Sequence, residues 1–203
     1  MGMFHEGNRA LWDEFDGRRL ADSLERNRQH VTFTDADRSF FEMVPFFFLA
    51  TANGETVDCS FKGGMPDLVW VAGENTLSFH NYDGNSIYER LGNITQSGNV
   101  GLSFIRFDSF GERMRINGAV KIDHGSARLA GFVGAKMLVD VTAWHIFPNC
   151  RRYIPAMECF ALFENVPRPD YTPPYRVWKF CDYARDYLPA GDRQRIFGEA
   201  SKK

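Results

Sequence analysis

The chain has 203 residues, a length that predicts a single domain. Its 24 Lys and Arg residues against 26 Asp and Glu residues give a net charge of -2, which excludes a general electrostatic attraction to nucleic acid or to anionic membranes. Hydrophobic residues make up 44% of the chain and aromatic residues 15%, enough for a buried core and too many for a disordered protein.

The N-terminal segment and the cysteines bear on the compartment. The first residues lack a basic stretch followed by an apolar one, so we expect a cytoplasmic protein. There the four cysteines, Cys59, Cys150, Cys159 and Cys181, are expected to be reduced and buried. No pair of them has the spacing of a metal site, and none is predicted.

The first predicted elements are helices. Apolar residues in 9–28 recur at helical spacing, with Gly17 as a candidate interruption. A second helix is predicted over 35–43, with Thr34 as its N-cap. The chain is therefore expected to begin with a helical segment, residues 1–44.

Beyond residue 45 the hydrophobic spacing changes to short β-rich runs between turns. Six or seven strands are predicted, at 46–51, 56–61, 68–71, 76–79, 100–107, 112–122 and 137–147. Only one short helix, between Ser86 and Ile94, interrupts them. This pattern favours a mainly β fold, a barrel or sandwich with flanking helices, over a parallel sheet.

The segment from 148 to 203 is rich in proline and aromatic residues. Proline cannot pair within a sheet interior, and the aromatic side chains are too apolar for a solvated linker. We expect this C-terminal arm to pack along the barrel core, residues 45–147, or across a partner subunit.

A first candidate site segment ends the second predicted strand. Because side chains alternate along a strand, Asp58, Ser60 and Lys62 are predicted to lie on one face. Two glycines follow Lys62. A cation beside an open backbone suits a phosphate group. A solvated lysine at the end of a strand is the alternative interpretation.

A second candidate segment runs from Phe79 through His80 and Gly84 to Ser86 and leads into the predicted helix. Ser86 and Glu89 match a capping box, which explains the segment by helix initiation alone. A strand, a glycine turn and a helix N-terminus also form an anion-binding arrangement. The two interpretations are compatible.

Two further segments lie on the later strands. Arg113, Arg115 and Asn117 share one strand face, either as a solvated surface or as partners of an anionic ligand. Trp144 and His145 lie near the end of the last long strand, in a core, an interface or a ligand site. The sequence contains no GxGxxG, Walker, GxSxG or HExxH motif, so any chemistry is expected to come from a bound cofactor.

Nine segments together carry a resemblance to a known family. They are residues 34–52, 60–66, 81–85, 91–94, 100–104, 115–118, 147–154, 166–169 and 178–179. Their order and spacing resemble the pyridoxamine 5'-phosphate oxidase-like family of FMN-binding split barrels. The resemblance implies a split β-barrel with flanking helices and a homodimer with FMN at the subunit interface.

The same resemblance implies which residues contact the cofactor. Ser60 and Lys62 approach the phosphate, an arginine of the 113–115 strand lies along the other side of the cofactor, and Trp144 closes the cleft from the partner chain. The full implied set is Ser60, Phe61, Lys62, Gly63, Asn81, Tyr82, Gly84, Asn85, Ser86, Arg113, Arg115, Asn117 and Trp144.

The leading hypothesis is an FMN-dependent oxidoreductase acting on a small substrate. The alternatives are a flavin- or haem-binding module without turnover and a reductase that uses the deazaflavin F420. Residues 196–203 do not resemble the arginine-containing ending with which pyridoxamine phosphate oxidases hold their substrate, so vitamin B6 oxidation is not expected.

Overall fold

One sheet of seven antiparallel strands organises the chain, for which a computed structural model describes residues 2–65, 67–82, 84, 86–108, 111–125, 127–155, 157 and 164–198. The strands are β1 (Phe46–Asn53), β2 (Thr56–Gly63), β3 (Val69–Val71), β4 (Thr76–Tyr82), β5 (Asn99–Ile105), β6 (Arg113–Asp123) and β7 (Ala135–Asn149). They are arranged in the order β2-β1-β5-β6-β7-β4-β3. The predicted mainly β fold is confirmed.

The sheet rolls so that strands far apart in this order meet. The rings of Phe47 on β1 and Phe79 on β4 have centroids 5.0 Å apart, although three strands separate β1 from β4. Lys62 on β2 reaches Asn81 on β4 in the same way. The pairing of the described residues leaves β2 and β3 as the two edges, so the sheet is rolled without being closed, as in the split barrel that was predicted.

Phenylalanines fill the rolled sheet. Phe41, Phe47, Phe79 and Phe104 are fully buried and belong to one continuous cluster. Phe104 lies with its ring centroid 4.8 Å from that of Phe41 and 5.0 Å from that of Phe47. Strand β5 alternates buried and outward residues, so Phe104 comes from its inner face, and Phe41 joins the cluster from the helix that precedes β1.

The helices flank the sheet. They are α1 (Glu6–Glu14), α2 (Arg18–Arg28), α3 (Asp35–Met43), α4 (Glu89–Ser97), α5 (Asp182–Arg185) and α6 (Ala190–Phe197). In the part of the chain that the structure describes, no helix is both long enough and apolar enough to cross a membrane.

The N-terminal helices form as the sequence predicts. The expected interruption near Gly17 is real, because Asp16 has the left-handed φ of 53° that ends α1 before α2 begins. Neither α1 nor α2 has a buried residue. Thr34 caps α3, accepting a hydrogen bond from the Asp37 backbone N–H while the Asp37 carboxylate accepts one from the Thr34 backbone N–H.

A short connection attaches this helical pair to the sheet. The backbone of His30 exchanges two hydrogen bonds with Ile146 of β7, at 3.0 and 2.8 Å. The Gln29 amide donates to Nδ1 of His145 at 2.6 Å. Residues 29–30 therefore attach the helical pair to β7 at His145 and Ile146.

The C-terminal arm differs from the expectation in one respect. β7 continues through Pro148 to Asn149, where Pro148 pairs with Met114 of β6. Strand β4 has already ended its pairing with β7 at Thr142 and Thr76, so proline loses no hydrogen bond on that side. Later in the arm the buried Asp192 forms ion pairs with Lys179 and with Arg195, the second at 2.7 Å.

The cysteines are less buried than expected. Cys59 and Cys150 are exposed and Cys181 is half-buried, all three as free thiols, while Cys159 lies outside the described residues. Among the residues with described positions, no group of three His, Cys, Asp or Glu side chains is arranged to hold a metal ion.

Candidate functional site

A cleft of about 380 Å³ opens where β2, the end of β4 and the start of α4 meet. Eight of the predicted site residues line it: Ser60, Phe61, Lys62, Gly63, Asn81, Tyr82, Gly84 and Ser86. The volume lies in the range of small-molecule sites, roughly 300–1,000 Å³. The end of β2 and the end of β4, which are distant in the sequence, thus form one concave surface.

Strand β2 supplies the polar floor of the cleft. Asp58, Ser60 and Lys62 share a face, as predicted, and on that face Ser60 is buried and Lys62 is half-buried. The Lys62 ammonium donates to the Asn81 side-chain oxygen at 2.7 Å. The Asp58 carboxylate forms an ion pair with Arg90 of α4 at 2.7 Å.

The charge balance of this floor is positive. The pKa of Lys62 is lowered from 10.5 to about 8, by burial first and then by the neighbouring Arg90, while Asp58 partly opposes both. Among the described residues, the Lys62 ammonium and the Arg90 guanidinium thus share one neighbouring carboxylate, that of Asp58, on the partly buried floor of the cleft. An anionic ligand would compensate the second cation and raise the pKa of Lys62 again.

Two buried polar atoms in the lining have neither a hydrogen bond nor an ion pair among the described residues. They are Oγ of Ser60, a residue 8% exposed, and Nδ1 of His80, a residue 3% exposed. An unsatisfied buried polar atom costs about 1–3 kcal/mol, so such an atom in a cleft indicates a ligand contact.

His80 and Tyr82 form a hydrogen-bonded pair beside the cleft. Nε2 of His80 and the Tyr82 hydroxyl are 2.8 Å apart. Burial lowers the pKa of His80, with Asp67 opposing it, while burial and then Asp67 raise the pKa of Tyr82. Gly64 allows this packing, because a Cβ there would lie 3.2 Å from the Tyr82 ring.

The loop between β4 and α4 does not form the predicted capping box. The N-cap of α4 is Tyr88, with a left-handed φ of 50°, and no side chain caps this end of the helix. Ser86 also has a left-handed φ, 61°. The helix begins two residues later than predicted because these two conformations are not helical. Asn85, another predicted contact, lies outside the described residues.

The other four predicted residues lie away from this cleft. Arg113 and Arg115 line separate pockets near the ends of β6 and β7, and Trp144 lines one with Gln29 and His145. Asn117 pairs with Gly101 of β5 and His145 of β7 in the middle of the sheet. One subunit therefore brings together the β2 and β4 segments and separates them from the β6 and β7 segments.

Sequence reasoning missed part of the lining. Arg90, which pairs with Asp58, and the apolar Leu68, Tyr88 and Leu91 all face the cleft. Arg90 follows the predicted phosphate-binding turn, and its place in the first turn of a helix was a usable signal. His80 was a candidate only by residue type, and its burial was not apparent from the sequence.

Comparison with known proteins gives matches among solved structures alone. No family model matches the chain, and no curated protein matches it.

Several solved structures share part of the fold. HupZ of Group A Streptococcus is 14% identical, with a TM-score of 0.46 over 62% of this chain and 99% of its own. A candidate pyridoxamine 5'-phosphate oxidase of Lactobacillus delbrueckii is 15% identical, with a TM-score of 0.47 over 59% and 98%. An FMN-binding protein of Syntrophomonas wolfei is 14% identical, with a TM-score of 0.42 over 71% and 96%.

At this level of similarity, no function follows from the names of these neighbours.

Proposed function

We propose that the cleft between β2, β4 and α4 binds the phosphate end of FMN and that the protein is an FMN-dependent oxidoreductase acting on a small substrate. One observation carries the proposal. Among the described residues, Lys62 and Arg90 share one carboxylate, that of Asp58, in a desolvated cleft where the Ser60 hydroxyl has no hydrogen-bond partner. Phosphate esters are the ligands that match a cationic site with free donors.

The residues of the cleft fit such a group. The Lys62 ammonium would bind the phosphate by charge, and the Ser60 hydroxyl would donate the hydrogen bond that it lacks within the described chain. Asn81 fixes the Lys62 side chain. When bound, FMN supplies hydride and electron transfer, and the protein supplies binding and orientation.

His80 and Tyr82 hold a proton at the edge of this site. A hydrogen bond joins Nε2 and the phenol oxygen, and burial lowers the pKa of the imidazole from its ordinary value of 6.5, which favours the neutral ring at pH 7. Nδ1 of this ring has no hydrogen-bond partner among the described residues, so a neutral imidazole can take up or release a proton there. We assign no catalytic acid or base beyond this pair.

The four predicted residues on β6 and β7 can contact the cofactor only if a second subunit supplies them. In a homodimer with the cofactor at the interface, a partner would have to supply Arg113, Arg115, Asn117 or Trp144 to the cleft described here. Exposed apolar side chains near the cleft, Phe61 on β2 and Ile87 before α4, support such an interface.

The first test asks what the protein binds. A visible absorption spectrum of the purified protein, followed by mass spectrometry of what heat denaturation releases, is expected to show FMN. A colourless protein that takes up no added FMN would overturn the proposal. A Soret band would favour the haem-binding module, and released F420 would favour the deazaflavin reductase.

Removing the Lys62 ammonium tests the placement of the phosphate. Lys62→Ala is expected to lower the affinity for FMN at least tenfold, and with it the occupancy at sub-saturating FMN, because a charge-assisted contact in a dry site contributes about 1.5–3 kcal/mol. Lys121→Ala removes an exposed lysine of β6 and should leave occupancy unchanged. Equal occupancy in both variants would exclude Lys62 from the site.

Turnover is tested separately, with a nicotinamide donor under anaerobic conditions. Bleaching of the bound flavin and its return with an added acceptor are expected of the oxidoreductase. A flavin that binds and is never reduced would identify the module without turnover.

A further inference from the structure

A second cavity, of about 290 Å³, lies beside the His80–Tyr82 pair. Among the described residues that line the cleft on β2, His80 and Tyr82 are the two that also line this cavity. Its other walls come largely from the turn before β7, at residues 131–133, and from the C-terminal arm, at residues 167–169. The pair therefore lies between the cleft and a cavity that the arm helps to close.

The arm packs directly against a glycine of that turn. Gly134 has a left-handed φ of 78°, and a Cβ there would lie 2.6 Å from Cβ of Pro167 and 4.0 Å from the Tyr82 ring. Residue 134 thus fits between Pro167 and Tyr82 only if it has no side chain. This contact fixes the distance of the arm from the end of β4.

The same turn and the arm together cover His80. Phe132 stacks on the imidazole with the ring centroids 4.9 Å apart, and it lies at the same distance from Trp70 of β3. With the arm in place, His80 is 3% exposed. Burial is the largest cause of both the lowered pKa of His80 and the raised pKa of Tyr82.

Two charged side chains among the described residues face the cavity. Asp67 is exposed, and its charge opposes the effect of burial on the pKa of His80. The Arg168 guanidinium lies over the Tyr171 ring, 3.8 Å from the centroid, within the arm itself. The exclusion of water, and not a neighbouring charge, is therefore what favours the neutral imidazole.

We propose that the contact of Pro167 with Gly134 holds the C-terminal arm over the His80–Tyr82 pair and keeps water away from it. Pro167 is then a positioning residue, which acts on the cleft through His80. Release of the arm hydrates the imidazole and makes it take up a proton more readily. The inference rests on the proposed function for its consequence, which is that the arm regulates proton exchange at the edge of the FMN cleft.

An NMR titration of the full-length protein without FMN, prepared with isotope-labelled histidine, measures the pKa of His80. The His80→Gln variant identifies its signal among the five histidines. Pro167→Gly opens the cavity from the arm and is expected to raise the pKa of His80 toward its ordinary value of 6.5. Gly134→Ala should do the same, because the added Cβ displaces either the arm or the turn.

Gly131→Ala is the matched control. Gly131 lines the same cavity, and a Cβ there would meet nothing within 4 Å, so this variant should leave the pKa of His80 unchanged. His145 gives an internal control, because it is also buried but lines a different pocket, with Gln29. Its pKa should be the same in all these proteins.

An unchanged pKa of His80 in Pro167→Gly would overturn the inference, whether or not Gly134→Ala folds. An equal rise in Gly131→Ala, or a rise for His145 as large as that for His80, would overturn it as well, since either would show a general loosening. The titration uses no FMN, so a protein that binds none still gives a result, and the two proposals can fail separately.

Discussion

Lys62 links ligand binding to pH. Its pKa in the ligand-free protein is about 8, and a bound phosphate favours the ammonium and raises that pKa. Above pH 8 binding must therefore take up a proton. FMN affinity is expected to be highest below pH 8 and to fall as the pH rises, by up to about tenfold per pH unit until the pKa of the complex is reached.

Titration of FMN fluorescence from pH 7 to 9.5 measures this dependence. The Lys62→Met protein, which cannot take up the proton, should bind more weakly and with nearly constant affinity over the same range. Parallel curves for the two proteins would contradict the linkage.

Two buried serines have opposite energetic roles. The Ser60 hydroxyl has no partner within the described chain, so Ser60→Ala should leave the free energy of unfolding unchanged or raise it by up to about 1 kcal/mol. The Ser78 hydroxyl donates to Asp140, which Arg128 also contacts at 2.9 Å, so Ser78→Ala should lower it by about 1–2 kcal/mol. Urea unfolding of both variants without ligand measures the difference. A loss in Ser60→Ala as large as in Ser78→Ala would show that Ser60 stabilises the free protein.

The close approach of β6 to β7 requires a residue without a side chain at Gly118. A Cβ at Gly118 would lie 2.3 Å from the backbone oxygen of Thr142, at the point where the register of the two strands shifts. Gly118→Ala is therefore expected to lower the free energy of unfolding by about 3 kcal/mol. Thermal unfolding checks this.

The neighbouring strand offers the matched control. A Cβ at Gly101 of β5 would meet the Asn117 side-chain oxygen at 3.6 Å, an ordinary contact, so Gly101→Ala should stay within about 1 kcal/mol of the original protein. Equal losses in both variants would attribute the effect to strand glycines in general and not to this close approach.

Sequence periodicity predicted the elements better than their ends. The strands and the α3 cap follow from local chemistry, because alternating side chains and a Thr–Asp pair act within a few residues. The start of α4 was misplaced because Tyr88 adopts a left-handed conformation that its residue type does not favour. The sequence predicts a strand that ends before Pro148. In the structure β7 continues through Pro148, because β4 no longer pairs with β7 at that position.

The site was predictable only where it is local. Ser60 and Lys62 share one face of a strand, and Asn81 lies at the end of the strand that precedes a recognisable glycine turn, so these residues could be named in advance. The pairing of Arg90 with Asp58 depends on how α4 packs beside β2, which no short-range pattern encodes. The separation of Arg115 from Lys62 likewise results from the rolled sheet.

For the whole molecule, the exposed apolar surface predicts a dimer. Val57 and Phe61 on the edge strand β2 are 74% and 62% exposed, and Tyr187 in the arm is 84% exposed. Sedimentation velocity is expected to give about twice the 23.3 kDa of the chain. A monomer across a dilution series that still binds FMN would show that one subunit forms the complete cofactor site.

The helical pair α1–α2 gives the molecule a region that can open by itself. Because neither helix buries a residue and residues 29–30 provide the attachment to β7, the pair can detach without disturbing the phenylalanine core. Its amides should exchange with deuterium long before those of β6 and β7. Hydrogen exchange would therefore record the opening of a segment whose loss leaves the strands of the barrel protected.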